Sequence, residues 1–298
     1  MTTQRSLPNC LAPAKLNLFL HVTGRRADGY HLLQTVFQLL DHGDRLHFTL
    51  RNDGVLRRMN PFPGVSEEVD LVLRAARLLR QHGIASGLAG AGDLGADITL
   101  EKRLPMGGGL GGGSSDAATT LIALNHLWQA GLTRQQLMYL GVQLGADVPF
   151  FLFGSNAFAE GIGEQLQLVD TPECWYAVIE PGVMVPTPEI FSAKALTRDT
   201  MHVTIADFSS SPTPRFGKND LQAVAAGLYP EIADAIEWLS AHGAARMTGS
   251  GACVFCAMET EQAAQQVVKQ VPTHWKAWSA QALRQHPMAA FLSDQATT

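Results

Sequence analysis

The chain has 298 residues, 46% hydrophobic and 16% charged, which is enough apolar material for a sizeable core and excludes wholesale disorder. A net charge of −5 with no Lys/Arg-rich run argues against a protein that coats nucleic acid, and no apolar run approaches the ~18 residues of a membrane span. Four cysteines are too few for a disulfide scaffold and Met1 to Cys10 lacks the order of a signal peptide, so a soluble, cytoplasmic protein is expected. At roughly 150 residues per domain the length suggests two domains.

From Ala14 to Val22 the chain alternates, which predicts a half-buried strand with Leu16, Leu18, Leu20 and Val22 on one face and Lys15, Asn17, Phe19 and His21 on the other. A turn at Asp28-Gly29 precedes Tyr30-His31 and a second strand from Leu32 to Leu40. Helical spacing predicts a helix over Asp70 to Gln81, stopped by Gly83. A Gly/Ala-rich loop leads to a strand from Ile98 to Leu104, closed by Pro105. Next comes a glycine-rich loop and a helix through about Ala130, then a second helix from Arg134 to Leu144 that runs into Ala146-Asp147-Val148-Pro149. Past residue 160 the character resets, which predicts a boundary between residues 1–160 and 161–298. The second part reads as a strand near Cys174 to Ile179, a Pro-punctuated turn from Val185 to Phe191, a Ser/Pro loop from Ser209 to Pro214 and a helix over Pro230 to Ala241. A Gly turn at Thr248 to Ala252 opens a strand from Cys253 to Met258, followed by a Gln/Ala-rich helix. Strands and helices mix without regular βαβ alternation, so the fold class is α+β.

Six glycines lie between Gly107 and Gly113, after a strand and before a helix. A loop without side chains lets backbone N–H groups approach an anion, and the helix N-terminus adds its positive end. Ser114, Ser115 and Asp116 are also good N-cap residues, so ordinary helix initiation explains part of the pattern. The P-loop motif fails because no lysine occurs between Lys102 and Lys194. Gly107, Gly109 and Gly112 fit the spacing of a dinucleotide loop. The preceding strand, however, carries Glu101, Lys102 and Arg103, and no acid follows where the ribose ligand belongs. Cys253-x-x-Cys256 lies on a strand, where residues three apart face opposite sides, and so reads as core packing. The ten histidines show no metal-ligand spacing.

Three segments together resemble the GHMP kinase superfamily: Pro13-Ala14-Lys15-Leu16-Asn17-Leu18, the loop Leu104-Pro105-Met106-Gly107-Gly108-Gly109-Leu110-Gly111-Gly112-Gly113-Ser114-Ser115-Asp116, and Thr248-Gly249-Ser250-Gly251-Ala252-Cys253-Val254-Phe255. Gly29-Tyr30-His31 and Leu144-Gly145-Ala146-Asp147-Val148-Pro149-Phe150-Phe151 sharpen the match toward members that act on a cytidine-diphosphate-linked sugar alcohol. The resemblance implies two α+β domains, the first ribosomal-protein-like and ATP-binding, the second ferredoxin-like, with the site in the cleft between them. It implies phosphoryl transfer from ATP with Mg²⁺, with Asp147 and Lys15 as catalytic residues. Pro105 through Ser115 would wrap the nucleotide phosphates, and the Ser115 hydroxyl would help to place Mg²⁺.

Asn17, Tyr30, His31, Phe191, Gly249, Ser250 and Gly251 would bind the substrate, with Tyr30 and Phe191 as stacking faces for the base. Without the resemblance, Lys15 reads as a solvated edge residue and Phe191 equally as a core aromatic; for Asp147 a mere turn before Val148-Pro149 is the lesser reading, because a helix dipole disfavours an acid just past a helix C-terminus. A sister kinase of homoserine or mevalonate type and a non-catalytic nucleotide-binding relative are the alternatives. The protein is expected to be a monomer or weak homodimer, with no nucleic-acid or membrane partner.

Overall fold

Two long antiparallel strands, β1 (Ser6–Arg25) and β2 (His31–Arg51), form the spine of the molecule in a computed structural model that describes residues 5–60, 65–210 and 216–295. Their register runs from Ser6 opposite Thr49 to Arg25 opposite His31 and is irregular at four points, one of them between Asn17 and Leu20. A bulge adds a residue to one strand and resets the alternation beyond it. Lys15, Asn17 and Leu20 therefore line one cleft, whereas Leu16, Leu18 and Phe19 enter an apolar core. The simple alternation expected from sequence, which grouped Phe19 and His21 with Lys15 and Asn17, is thus corrected by the bulge. The strand is also buried on both faces rather than one, and Lys15 and Asn17 are 4% and 2% exposed.

The remaining elements of the first half are β3 (Leu56–Arg58), α1 (Leu71–Ala85), β4 (Gly95–Glu101), α2 (Gly112–Leu127), α3 (Arg134–Val142), α4 (Val148–Phe153) and β5 (Ala157–Glu160). Asp70 caps α1 by accepting from the Val72 and Leu73 amides. Gly83 does not stop this helix. It sits buried inside it, where a Cβ would stand 3.3 Å from Leu88 Cδ2, so close packing outweighs the ~1 kcal/mol helix penalty of glycine. The α2 helix is buried nearly all round and runs through the centre of a core shared with α1, α3, α4 and the sheet.

The second half follows with β6 (Gln165–Leu168), β7 (Trp175–Glu180), α5 (Thr187–Ser192), α6 (Ile205–Ser210), α7 (Gln222–Leu228), α8 (Pro230–Ser240), β8 (Arg246–Met247), β9 (Val254–Met258), α9 (Glu261–Gln270) and β10 (Lys276–Leu283). The sheet order is β3-β4-β2-β10-β7-β9-β8, with β1 and β5 also on β2. The expected turn at Val185 to Phe191 contains the short helix α5, started by Pro186 and Pro188. Of the Ser209 to Pro214 loop, Ser209 and Ser210 end α6 and the rest lies outside the described residues. Cys253 and Cys256 are buried in different core clusters, as packing residues on opposite faces. The mixture of a sheet that is antiparallel except at the β3–β4 pair and segregated helices is α+β.

Candidate active site

Two cavities meet at the glycine loop. One, of about 760 Å³, runs from Lys15 and Asp147 to Tyr30, His31 and Phe191; the other, of about 420 Å³, lies between the loop, Lys102 and the start of α1. Gly107, Gly109, Gly111 and Ser114 line both. The loop is therefore the shared wall across which groups held on the two sides would meet.

The loop's path requires glycine. Gly109 has φ +74°, and a Cβ there would collide with the Thr248 carbonyl oxygen; Gly111, at φ +71°, occupies the N-cap position of α2. The third glycine segment buttresses the loop from behind: the Cys253 amide donates to the Gly108 carbonyl at 3.1 Å, and Asn219 Nδ2 donates to the carbonyls of Met247 and Gly249 at 2.8 Å each. Ser250 faces α5, its Oγ lying 2.7 Å from the Thr187 hydroxyl.

At the junction of the cavities, Lys15 Nζ donates to Asn17 Oδ1 at 2.6 Å and stands 3.5 Å from Asp147 Oδ2. Asn17 is itself fixed: its Nδ2 donates to Thr35 Oγ1 at 2.9 Å, and its amide donates to Thr248 Oγ1 at 3.0 Å. The Lys15 amide donates to the Leu110 carbonyl at 3.0 Å, so strand and glycine loop are tied together at the charged residue. Lys15 is held in a buried site rather than solvated at an edge. Asp147 occupies the N-cap position of α4 but makes no cap bond; its carboxylate is turned toward Lys15 and partly open to the cavity. The local setting is thus a helix start, which favours a carboxylate, as well as the end of the preceding helix.

At the far end, His31 and Phe191 rings are 5.0 Å apart and inclined by 33°, and Tyr30, which lines the same cavity, is 62% exposed. Burial, then Arg198 and Arg25, push the His31 imidazole below the usual histidine range. Tyr30, His31 and Phe191 line one cavity, and a flat ring entering between them would meet aromatic faces. Phe191 lines this cavity and also packs against the second-half core, as the core-aromatic reading expects.

The smaller cavity borders what sequence reasoning missed. Lys102 Nζ donates to Asp44 Oδ2 at 2.5 Å and to Asp116 Oδ2 at 2.8 Å, and Asp44 also accepts from the Arg103 and Leu104 amides at 2.6 and 2.8 Å. Burial is the chief cause that raises the Asp116 carboxyl to about 7, against the opposing pull of Lys102. The signal was present in Lys102 within an otherwise alternating strand and in Asp116 after Ser114-Ser115, but neither spacing announces the pairing with Asp44. Ser115 is corrected by the same view. Its hydroxyl is fully buried and without a partner among the described residues, and it lines neither cavity; Ser114 lines both. Adjacent helical residues diverge by 100°, so the phase set by the helix start at Gly112 exposes one serine and buries the other. Among the described residues no three His, Cys, Asp or Glu side chains converge as a metal cage, and no helix is long and apolar enough to cross a membrane.

Comparison with known proteins agrees with this arrangement. Residues 70–155 match the family described as GHMP kinases N terminal domain, and residues 210–277 match GHMP kinases C terminal. The chain is 65% identical over 284 residues to the 4-diphosphocytidyl-2-C-methyl-D-erythritol kinase of Janthinobacterium sp. (strain Marseille), covering 95% of this chain and 97% of that one. It is 66% identical over 285 residues to the kinase of the same name from Herminiimonas arsenicoxydans, covering 96% and 98%. Among solved structures, a 4-(cytidine 5'-diphospho)-2C-methyl-D-erythritol kinase superposes with TM-score 0.77 at 33% identity, covering 92% of this chain and 98% of that one. The mevalonate kinase of Methanococcus jannaschii shares the fold at TM-score 0.67 and 14% identity, over 95% and 99% of the two chains.

Proposed function

The chain belongs to the GHMP kinase family and, within it, to the 4-diphosphocytidyl-2-C-methyl-D-erythritol kinases; we propose that it transfers the γ-phosphoryl of ATP to the 2-hydroxyl of 4-diphosphocytidyl-2-C-methyl-D-erythritol in the non-mevalonate route to isoprenoid precursors. The observation that carries this reading is the Lys15–Asp147 pair, 3.5 Å apart where the two cavities share the glycine loop. Phosphoryl transfer needs alignment and charge stabilisation more than covalent help.

Asp147 accepts the proton of the attacking hydroxyl, and its freedom from capping leaves both oxygens available for that task. Lys15, held by Asn17 and 3.5 Å from Asp147, orients that carboxylate and neutralises charge on the transferred group. ATP occupies the nucleotide side, its phosphates on the amides of residues 107–114 and the N-terminus of α2. Gly249 and Gly251 give close approach behind the loop, and Ser250 tethers α5. The cytosine ring lies between Tyr30 and Phe191 with its edge on His31. The division into residues 1–160 and 161–298 is retained in this proposal as an ATP-binding half and a half that supplies Phe191 and the third glycine segment.

The residues fit a Mg²⁺ carried by the nucleotide rather than caged by protein. Asp116 Oδ1, buried and without a partner among the described residues, and the Ser114 hydroxyl are the donors on the nucleotide side. Mg²⁺ commonly binds through one or two protein groups plus phosphates and water. When bound it would neutralise charge on the β- and γ-phosphates.

A coupled ADP-release assay with 4-diphosphocytidyl-2-C-methyl-D-erythritol, homoserine and mevalonate tests the assignment. Turnover is expected with the cytidine compound alone. Base stacking contributes ~1–3 kcal/mol, so Tyr30→Ala should raise KM for it by roughly 5- to 150-fold while ATP binding is retained. Unchanged kinetics in that variant, or turnover of homoserine, would sink the reading.

A further inference from the structure

Arg198 does not line the cleft, yet it grips both walls of its base end. Its Nε donates to His31 Nε2 at 3.0 Å, its Nη1 donates to the Leu196 carbonyl at 3.0 Å, and its Nη2 donates to the carbonyls of Phe191 and Ala193 at 3.0 and 2.8 Å. A guanidinium has only donors and keeps its charge at any ordinary pH. The nitrogen it meets on His31 must therefore present a lone pair, which places the proton of the neutral ring on Nδ1.

The alternatives are disfavoured by the same surroundings. An imidazolium would face Arg198 and also Arg25 at the end of β1, with Asp28 in the turn and Asp147 beside Lys15 as the acidic groups lining the same cleft. The Nε2–H tautomer would set two donors against each other. His31 Nδ1–H makes no hydrogen bond among the described residues, and the ring borders the cavity beside Phe191.

Resting on the base-clamp reading of Tyr30, His31 and Phe191, we propose that Arg198 is a specificity-determining positioning residue that fixes His31 as an Nδ1–H donor toward the pyrimidine edge. Cytosine offers that donor an unprotonated ring nitrogen at position 3. Uracil carries a proton there, so the two donors oppose each other and a buried N–H goes unpaired. Sites built to hydrogen-bond a substrate group discriminate strongly against an analogue that cannot reciprocate. Arg198 also binds the carbonyls around Phe191, so one guanidinium sets both the hydrogen-bonding edge and the stacking face.

The test compares kcat/KM for the cytidine- and uridine-diphosphate-linked methylerythritols, with ¹⁵N spectra of the His31 ring in the unmodified protein. The spectra should show the Nδ1–H tautomer at neutral pH; an Nε2–H ring overturns the proposal without any variant, even if substitutions at Arg198 impair folding. In Arg198→Met, with folding checked by thermal unfolding, His31 is free to tautomerise. The preference for cytidine should then fall by at least ~10-fold, mainly through KM, and Arg198→Lys should restore part of it. An unchanged preference in folded Arg198→Met overturns the proposal. His31→Ala separates the two levels: no change in KM for the cytidine compound removes the clamp reading itself, whereas a large change alongside an unaltered Arg198→Met preference removes only the role of Arg198.

Discussion

Asp147 shows how position and function separate at the scale of one residue. It stands where a carboxylate would cap α4, yet makes no cap bond and turns instead toward Lys15. General-base catalysis is worth about 10²–10⁴-fold, so Asp147→Asn should lower kcat by at least ~10²-fold with little change in KM or thermal stability. A turnover near that of the unmodified protein, measured by ADP release at saturating substrate, would assign Asp147 a positioning role only. Lys15, Asn17 and Asp147 are legible in sequence because each sits in a short motif whose residue types suit the chemistry. Arg198 is not, because its importance arises from a contact with His31 across 167 positions and from carbonyls that no residue code announces. Ser114 and Ser115 mark a finer limit: both belong to the motif, and only the helical phase decides which reaches the cavity.

The buried ion cluster belongs to the scale of elements, since it joins β2, the end of β4 and the start of α2. One ammonium holds two carboxylates whose side chains are 0% and 4% exposed. Removing the shared cation leaves both acids buried without a counter-charge, so Lys102→Met should destabilise the fold by ~3–5 kcal/mol in urea unfolding at pH 8. Asp116→Asn should cost less than ~1 kcal/mol, because it keeps an acceptor for Lys102 and removes one buried charge. The sign with pH distinguishes the two further. Asp116 is raised to about 7 from an ordinary 3.8, so its stabilising protonation is present at low pH and lost as pH rises toward and through 7. The cost of Asp116→Asn should therefore shrink from pH 6 to pH 8; a constant difference would show that Asp116 stays ionised throughout. The helices and strands themselves were largely legible from periodicity and caps. What escaped was the bulge near Asn17 and Leu20, which depends on how β1 pairs with β2, and Gly83, whose helix penalty is outweighed by a neighbour that only the fold supplies.

Across the whole molecule, the last strand and the tail behind it bind the two halves. β10 pairs with β7 over Lys276 to Gln281 and with β2 through Ala282 and Leu283, and beyond it Met288 and Leu292 enter the core built around α2. Nothing in the sequence periodicity marks a C-terminal segment as part of the first half's core, because that return is a matter of topology. His286 sits in this junction, 2% exposed, its Nδ1 accepting from the Met288 amide and its Nε2 without a partner among the described residues. Burial lowers it to about 3 from an ordinary 6.5. Below pH 6.5 the unfolded chain takes up a proton that the folded chain refuses, so stability falls with pH until the folded pKa is reached. At 1.36 kcal/mol per unit, this one group should remove ~2 kcal/mol between pH 6.5 and pH 5. His21, His31 and His42 are lowered as well and add in the same direction, while Asp116 opposes them. His286→Asn keeps an acceptor for Met288 and cannot ionise, so the drop in unfolding free energy from pH 7 to pH 5 should shrink by about that amount in the variant. If the variant retains the full pH dependence, the imidazole is hydrated in the folded state and the junction between the halves is looser than its packing requires.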